Sequence, residues 1–525
     1  MKSKNSLING MAWMTVANFT SRLIGLLYII LWYRWMGEYA PKANAIFLLG
    51  YNFYALFLLI STAGLPDAVA KQLSRYFALN QKEYAYFLIK SLAILMLTLG
   101  VIAGFVMYLV SPFLSLISGG GEELVPILRT LAPAVLIFPL MSLLRGTFQG
   151  LNQLKPSALS QIIEQFFRVG YMLISTYLIM QNGNGDYLLA VKHSTFAAFI
   201  GMLVSFFLLL YFLLKQGILI KIITSKRPSK SFNNKIILVE TFREALPFVI
   251  MGSTIQLFQI VDQLSFYNIM SVFTNYSTKD LQIQYAYFAA NPQKITAIII
   301  SIASSISVVG IPLMTRAYLQ KDIKNIAKLI GNSLLILSSI LIPVTVGVTI
   351  LSKPLYTIFY GIPSRTALSL FIANVIQTPL LAFYTLLSPL LLAVDERKNS
   401  FRYLLYGMIV KIIIQIPCIY FLEAYGPITS TSISLLIILF FISNKLNEIA
   451  PVYNRYILKK IIGIIILTLF MAMCLYLIQK QPFFILLINR FGVYLHVLMI
   501  GLAGTFIYLI SGIFIKVLDF IFPNL

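Results

Sequence analysis

Polar breaks divide the chain into about fourteen long apolar runs, at about 8–35, 44–72, 86–116, 124–147, 157–181, 188–214, 241–270, 284–315, 327–351, 367–393, 403–423, 427–444, 457–478 and 491–515. Crossing roughly 30 Å of hydrocarbon takes about 20 apolar residues as a helix, and the runs meet that length. They are unbroken rather than alternating, which excludes the short two-sided strands of a barrel and leaves a helical bundle as the structure that satisfies every backbone group in lipid. The pattern also repeats. Ile60-Ser61-x-x-Gly64-Leu65-Pro66 returns 246 residues later as Ile306-Ser307-x-x-Gly310-Ile311-Pro312, and Asn152, Lys155 and Ser157 are matched by Asp395, Lys398 and Ser400. Interruptions at corresponding places in two halves point to a transporter whose substrate site lies between repeated bundles. The expected fold is an all-α integral membrane protein of about fourteen transmembrane helices: two six-helix lobes plus two C-terminal helices. The expected divisions are 1–220 for the first lobe, 221–240 for a basic cytoplasmic linker, 241–450 for the second lobe and 451–525 for the last two spans.

Composition sharpens the class. The 525 residues are 59% hydrophobic and 11% charged, with a mean hydropathy of +0.87, well beyond a soluble domain's usual apolar share. A net charge of +23 would suggest nucleic acid in a soluble protein. Here the basic residues sort by alternate loops, which is the pattern of membrane orientation, so no nucleic-acid partner is expected. Lys2, Lys71, Arg145, Lys155, Lys226, Arg316, Lys321, Arg397 and Lys459 fall in one set of loops, opposite Glu122, Glu123, Asp186 and Asp280. Both termini are therefore expected in the cytoplasm. The first run is longer than a signal-peptide core and reads as the first span. Cys418, Cys474, His193 and His496 lie apart, with no cluster at metal-ligand spacing, so neither metal nor cofactor is expected. No Gly-x-x-x-x-Gly-Lys-Ser/Thr, catalytic triad or carboxylate pair stands out, which favours a carrier over an enzyme or an ATP-driven pump.

Ionisable residues at membrane depth cost at least ~2.5–3.5 kcal/mol on insertion scales and are functional candidates unless they pair or snorkel. Arg22 lies several turns into the first run and reads as an anion-binding residue. Lys294 follows Asn291-Pro292-Gln293 in the eighth run, where proline frees backbone groups, and is a second substrate-binding candidate. Glu164 and Arg168 share a helix face at i, i+4 spacing, which predicts an intrahelical ion pair. Asp262, with no base nearby in sequence, joins them as a candidate for coupling or gating. Lys90, Arg129, Lys192, Arg243 and Lys411 are expected to snorkel toward span ends. Gly64, Pro66, Pro292, Gly310 and Pro312 are expected bending points.

Ser21-Arg22-Leu23-Ile24-Gly25, Gly64-Leu65-Pro66, Arg145-Gly146-x-Phe148-Gln149-Gly150 and Ser160-Gln161-Ile162-Ile163-Glu164-Gln165 occur in an order that resembles the polysaccharide-exporter branch of the multidrug/oligosaccharidyl-lipid/polysaccharide (MOP) superfamily. Within it the chain resembles the MurJ-like lipid II flippases of the SpoVB/YtgP group. The resemblance implies a MATE/MOP-like fold, a central cationic cavity, inward-open and outward-open states, and export of an undecaprenyl-pyrophosphate-linked sugar across the bacterial cell membrane. Membrane lipids and the cell-wall synthesis machinery are its implied partners. Arg22 matches that family's first-helix cavity arginine, and Lys294 lies about one position from its eighth-helix arginine. No basic residue lies between Ala43 and Thr62, where the family carries another. Some members hold sodium with carboxylates of the seventh and eleventh helices; Asp262 could supply the first, whereas the eleventh run offers Lys411 and Gln415. The alternatives are a flippase for another lipid-linked glycan of capsule, teichoic acid or exopolysaccharide, a multidrug or cation antiporter, which would need cavity carboxylates, and a non-transporting scaffold of cell-wall synthesis.

Overall fold

The computed structural model describes residues 2–62, 81–151, 153–225, 249–452, 455–480 and 490–514, with isolated positions between 69 and 79. Its helices are α1 (Lys2–Met36), α2 (Ala40–Thr62), α3 (Lys82–Ile117), α4 (Gly121–Gly150), α5 (Leu154–Tyr177), α6 (Tyr187–Lys215), α7 (Ile218–Thr224), α8 (Thr254–Phe273) and α9 (Thr278–Tyr285). There follow α10 (Asn291–Leu319), α11 (Ile323–Ile350), α12 (Ser352–Tyr360), α13 (Arg365–Ala393), α14 (Arg397–Leu422), α15 (Gly426–Ile449), α16 (Arg455–Gln479) and α17 (Arg490–Phe514). Fourteen of these have 20 residues or more, one for each apolar run. Among the described residues, ten helical stretches are long and apolar enough to cross a membrane. Two of them, Thr20–Thr62 and Arg397–Ile449, hold two predicted spans apiece, joined by single 3-10 turns at Gly37–Tyr39 and Glu423–Tyr425. This is an all-helical, multi-pass membrane protein.

Helix starts follow local chemistry. Asp186 accepts the Leu189 N–H at the head of α6, Asp322 that of Asn325 at α11, and Ser364 that of Ala367 at α13. Ser277 and Asp280 form a reciprocal capping box on α9, so four chain reversals are fixed by side chains that satisfy otherwise orphaned donors.

The chain forms two compact units, Met1–Asn268 and Ile269–Leu525. In the first, α1 and α5 run parallel along their length. Lys155 lies over the Trp13 ring, a Cβ on Gly25 would stand 3.3 Å from Gln165 Nε2, and Trp35 meets Tyr177 edge-on. These three contacts keep nearly the same sequence offset, which sets Arg22 level with Glu164. The α6 helix packs against α5 from the other direction: Trp32 donates to Ser194 Oγ at 2.9 Å, and Ser194 meets Thr176 at 3.2 Å. The approach is closest at Gly201, where a Cβ would stand 2.5 Å from the Glu164 carbonyl oxygen and 2.9 Å from Arg168 Cβ. Only glycine fits there, because the neighbour is backbone. Gly201→Val is expected to destabilise the protein by about 1–3 kcal/mol through overpacking, read as a lower thermal midpoint in detergent. An unchanged midpoint would mean that α6 does not lean on α5.

In the second unit, α9 continues into α10 through a π-helical turn, Ala286–Ala290. Pro292 has no N–H to give the Phe288 carbonyl. The Asn374 amide of α13 donates to that oxygen instead, at 2.6 Å. Asn291, next to the proline, donates to Tyr356 at 2.7 Å, and its carbonyl accepts from Tyr360, both on α12. The expected interruption at Pro292 is thus a joint whose freed groups are satisfied, and the helix does not end there. Gly310 and Pro312, placed by the sequence at the end of an apolar run, lie inside α10, which continues to Leu319. Their counterparts Gly64 and Pro66 lie outside the described residues, as does most of the basic linker. The two last spans belong to the second unit. A Cβ on Gly331 of α11 would stand 2.4 Å from Ile457, and Leu467, Met471 and Leu475 of α16 form a core with Ile500 and Tyr508 of α17.

Candidate functional site

Three arginines and one glutamate stand at mid-helix depth in the first unit, and their pairing differs from the sequence expectation. Glu164 does not pair with Arg168. Its carboxylate accepts from Arg145 Nη2 at 2.6 Å, and the two side chains are only 15% and 14% exposed. Arg145 also donates to Ser160 at 2.8 Å and to Ser205 at 3.0 Å, which ties α4, α5 and α6 together. This corrects a second expectation, since Arg145 is not a loop cation but lies within α4, more than a turn before its end. A residue one turn away lies as close in sequence as one across a helix interface lies in space, and here the interface offered the shorter reach.

Arg168 turns instead to α2. Its guanidinium donates to the Tyr51 hydroxyl and lies 5.0 Å from that ring's centroid. Tyr51 in turn stacks on Phe47 and meets Tyr54 edge-on. A phenol and a ring face orient a guanidinium without neutralising it. Among the described residues no carboxylate lies within ion-pairing distance of Arg168. Arg22, on α1 at the same level, is exposed. The tier therefore carries an arginine neutralised by Glu164 and a second, Arg168, held by a phenol with the charge and planar fork that suit an oxyanion; Arg22 stands at their level.

A polar seam closes the tier on the side of α8. Asn52 Nδ2 donates to Gln263 Oε1 at 3.0 Å, Gln263 donates to the Leu49 carbonyl at 3.2 Å, and Gln256 donates to the Asn52 carbonyl at 3.1 Å. Asp262 precedes Gln263 on α8 and is half-buried. The Asn–Gln bridges were not legible along the chain, because amides scattered through apolar runs carry no periodic signal.

In the second unit Lys294 is half-buried on α10, two residues past Pro292. Lys411 does not snorkel. It is fully buried in α14 and donates to the Pro427 carbonyl at 3.2 Å, Ser430 at 3.0 Å and Thr431 at 2.5 Å; the Ser430 hydroxyl in turn donates to Gln415 Oε1. The clue lay in Thr429-Ser430-Thr431-Ser432, four hydroxyls in succession at the start of an apolar run. Lys90 does reach out of its span, to the Ile223 and Ser225 carbonyls. Among the described residues no group of three or more His, Cys, Asp or Glu is placed to hold a metal ion.

The family model described as polysaccharide biosynthesis protein matches residues 7–318. The chain is 29% identical over 493 residues to the lipid II flippase MurJ of Bacillus subtilis (strain 168), covering 91% of this chain and 89% of that one. Among solved structures it superposes on a lipid II flippase MurJ in an inward closed conformation, with a TM-score of 0.68, 19% identity, and 96% and 98% of the two chains covered. An inward-facing multidrug resistance MATE transporter of the MOP superfamily gives a TM-score of 0.63 at 15% identity, over 81% and 94% of the chains. At these identities the two structures establish a shared fold.

Proposed function

The chain belongs to the polysaccharide biosynthesis protein family, and from that premise we propose that it is a flippase that moves an undecaprenyl-pyrophosphate-linked cell-wall precursor, lipid II, from the inner to the outer leaflet. The observation that carries this reading is the charge of the first unit's middle tier: Glu164 is spent on Arg145, and Arg168 is oriented by a phenol. A cation exporter needs the opposite sign.

In this mechanism the lipid enters sideways; Arg22 and Arg168 are the phosphate-binding donors of the first lobe, and Lys294 is that of the second. Charge-assisted donors replace the water a diphosphate loses in the membrane. Alternation of the lobes then exposes the head group outside. Asp262 and the amide seam beside it serve as the coupling element, with bending at Gly64, Pro66, Pro292, Gly310 and Pro312. The basic loops and both termini face the cytoplasm. With the cell interior negative, outward movement of negative charge is favoured by ~2.3 kcal/mol per charge per 100 mV, so no nucleotide is required and no bond is made or broken. The product is passed to the cell-wall synthesis machinery.

Complementation tests the reading. When the resident lipid II flippase of a bacterial host is depleted, expression of this protein is expected to restore growth together with externally accessible lipid II. Well-expressed protein with no rescue and with lipid II accumulating inside would reassign it to another lipid-linked glycan.

A further inference from the structure

At the end of the second unit opposite its basic loops lies a cavity of about 800 Å³. Tyr276, Asp280, Gln284 and Tyr287 line one side and Glu423 and Tyr425 the other. Asp280, Gln284 and Tyr287 fall at i, i+4 and i+7, so they share a face of the α9–α10 stretch. The far wall is the turn between α14 and α15, where Glu423 adopts φ 48°, ψ −123°. A non-glycine residue held there is strained, and such strain clusters at ligand sites. Tyr276 donates to Glu423 at 3.3 Å, and the carboxylate raises the phenol above its ordinary value, which keeps it protonated. Tyr425 is held by Ser369 at 2.5 Å. Gln284 Oε1 is buried and has no hydrogen-bond partner.

We propose that this cavity is a saccharide subsite that receives the glycan head group of the exported lipid. Its chemistry fits a neutral, hydroxyl-rich ring. Two carboxylates and an amide oxygen accept from adjacent hydroxyls, phenols complete the network, and tyrosine faces cover the apolar side of a pyranose. The same carboxylates repel a diphosphate, so the subsite takes the sugar and turns the phosphate away. Tyr287 and Lys294 are seven residues apart on one helical stretch, about 10 Å along its axis. That span lets a sugar rest at Tyr287 while its phosphate stays near Lys294. The volume is within the ordinary range for a small-molecule site.

This assignment rests on the flippase reading, and the test separates the two. Purified full-length protein in lipid nanodiscs is titrated with N,N′-diacetylchitobiose, a soluble N-acetylated disaccharide, and binding is followed by saturation-transfer NMR. Saturable binding is expected, weakened at least tenfold by Tyr287→Ala and by Glu423→Gln. The second change keeps the side chain's shape and guards against a folding artefact, as thermal unfolding of each variant will record. No saturable binding to the wild type, equal binding by both variants, or tighter binding of glycyl-lysine amide than of the disaccharide would overturn the proposal. Disaccharide binding that depends on Tyr287 and Glu423 in a protein unable to translocate lipid II would uphold the subsite and discard lipid II as the cargo.

Discussion

Arg168→Ala and Arg22→Ala are each expected to lower translocation of lipid II in proteoliposomes by roughly ten- to hundredfold, with insertion and thermal stability close to wild type. The magnitude follows from a hydrogen bond to a charged group, about 1.5–3 kcal/mol. Lysine at either position should retain part of the activity, since it keeps the charge and loses the planar fork. Tyr51→Phe supplies the control: it removes the hydroxyl that orients Arg168 and keeps the ring beneath it. Its effect should be smaller than that of Arg168→Ala. Full activity in Arg168→Ala would return this residue to a structural role and leave Arg22 as the first lobe's anion donor.

Glu164→Gln should act on stability first. With both side chains about 15% exposed, removing the carboxylate strands the Arg145 charge in a protein interior, and breaking a buried pair from one side costs about 3–5 kcal/mol. Arg145→Met combined with Glu164→Gln should recover most of that loss, because replacing both partners removes the uncompensated charge along with the attraction. A double-mutant cycle on thermal midpoints in one detergent reads the coupling. The same cycle run with Arg168 in place of Arg145 should give little, and strong coupling there would restore the intrahelical pair that the i, i+4 spacing implies.

The helices were legible in the sequence because the membrane imposes a single rule, long apolar runs with charged loops, that needs no knowledge of neighbours. The same rule misread individual charges. It placed Arg145 in a loop because the fourth run fades near 147, and it sent Lys411 to the surface because nothing within one helix shows which side chains face a cavity or a hydroxyl-rich neighbour. Both errors concern partners supplied by other helices. Pro292 was read correctly as a place where backbone groups come free, yet its consequence depended on Asn374, 82 residues away. Glu423 gave no signal at all, since its importance lies in a backbone angle.

The π turn ahead of Pro292 bears on how this chain is compared with its relatives. A π turn accommodates one residue more than an α turn over the same rise, and residues on a regular helix are spaced by about 100°. Straightening Ala286–Ala290 into regular α-helix with every residue kept would therefore swing Lys294 by roughly a quarter turn relative to Tyr285. Conversely, a relative lacking the turn could carry its cation one place away in sequence and present it at the same point in space. Column-by-column alignment scores such a pair as a loss, whereas superposition of the helices would count it as the same residue.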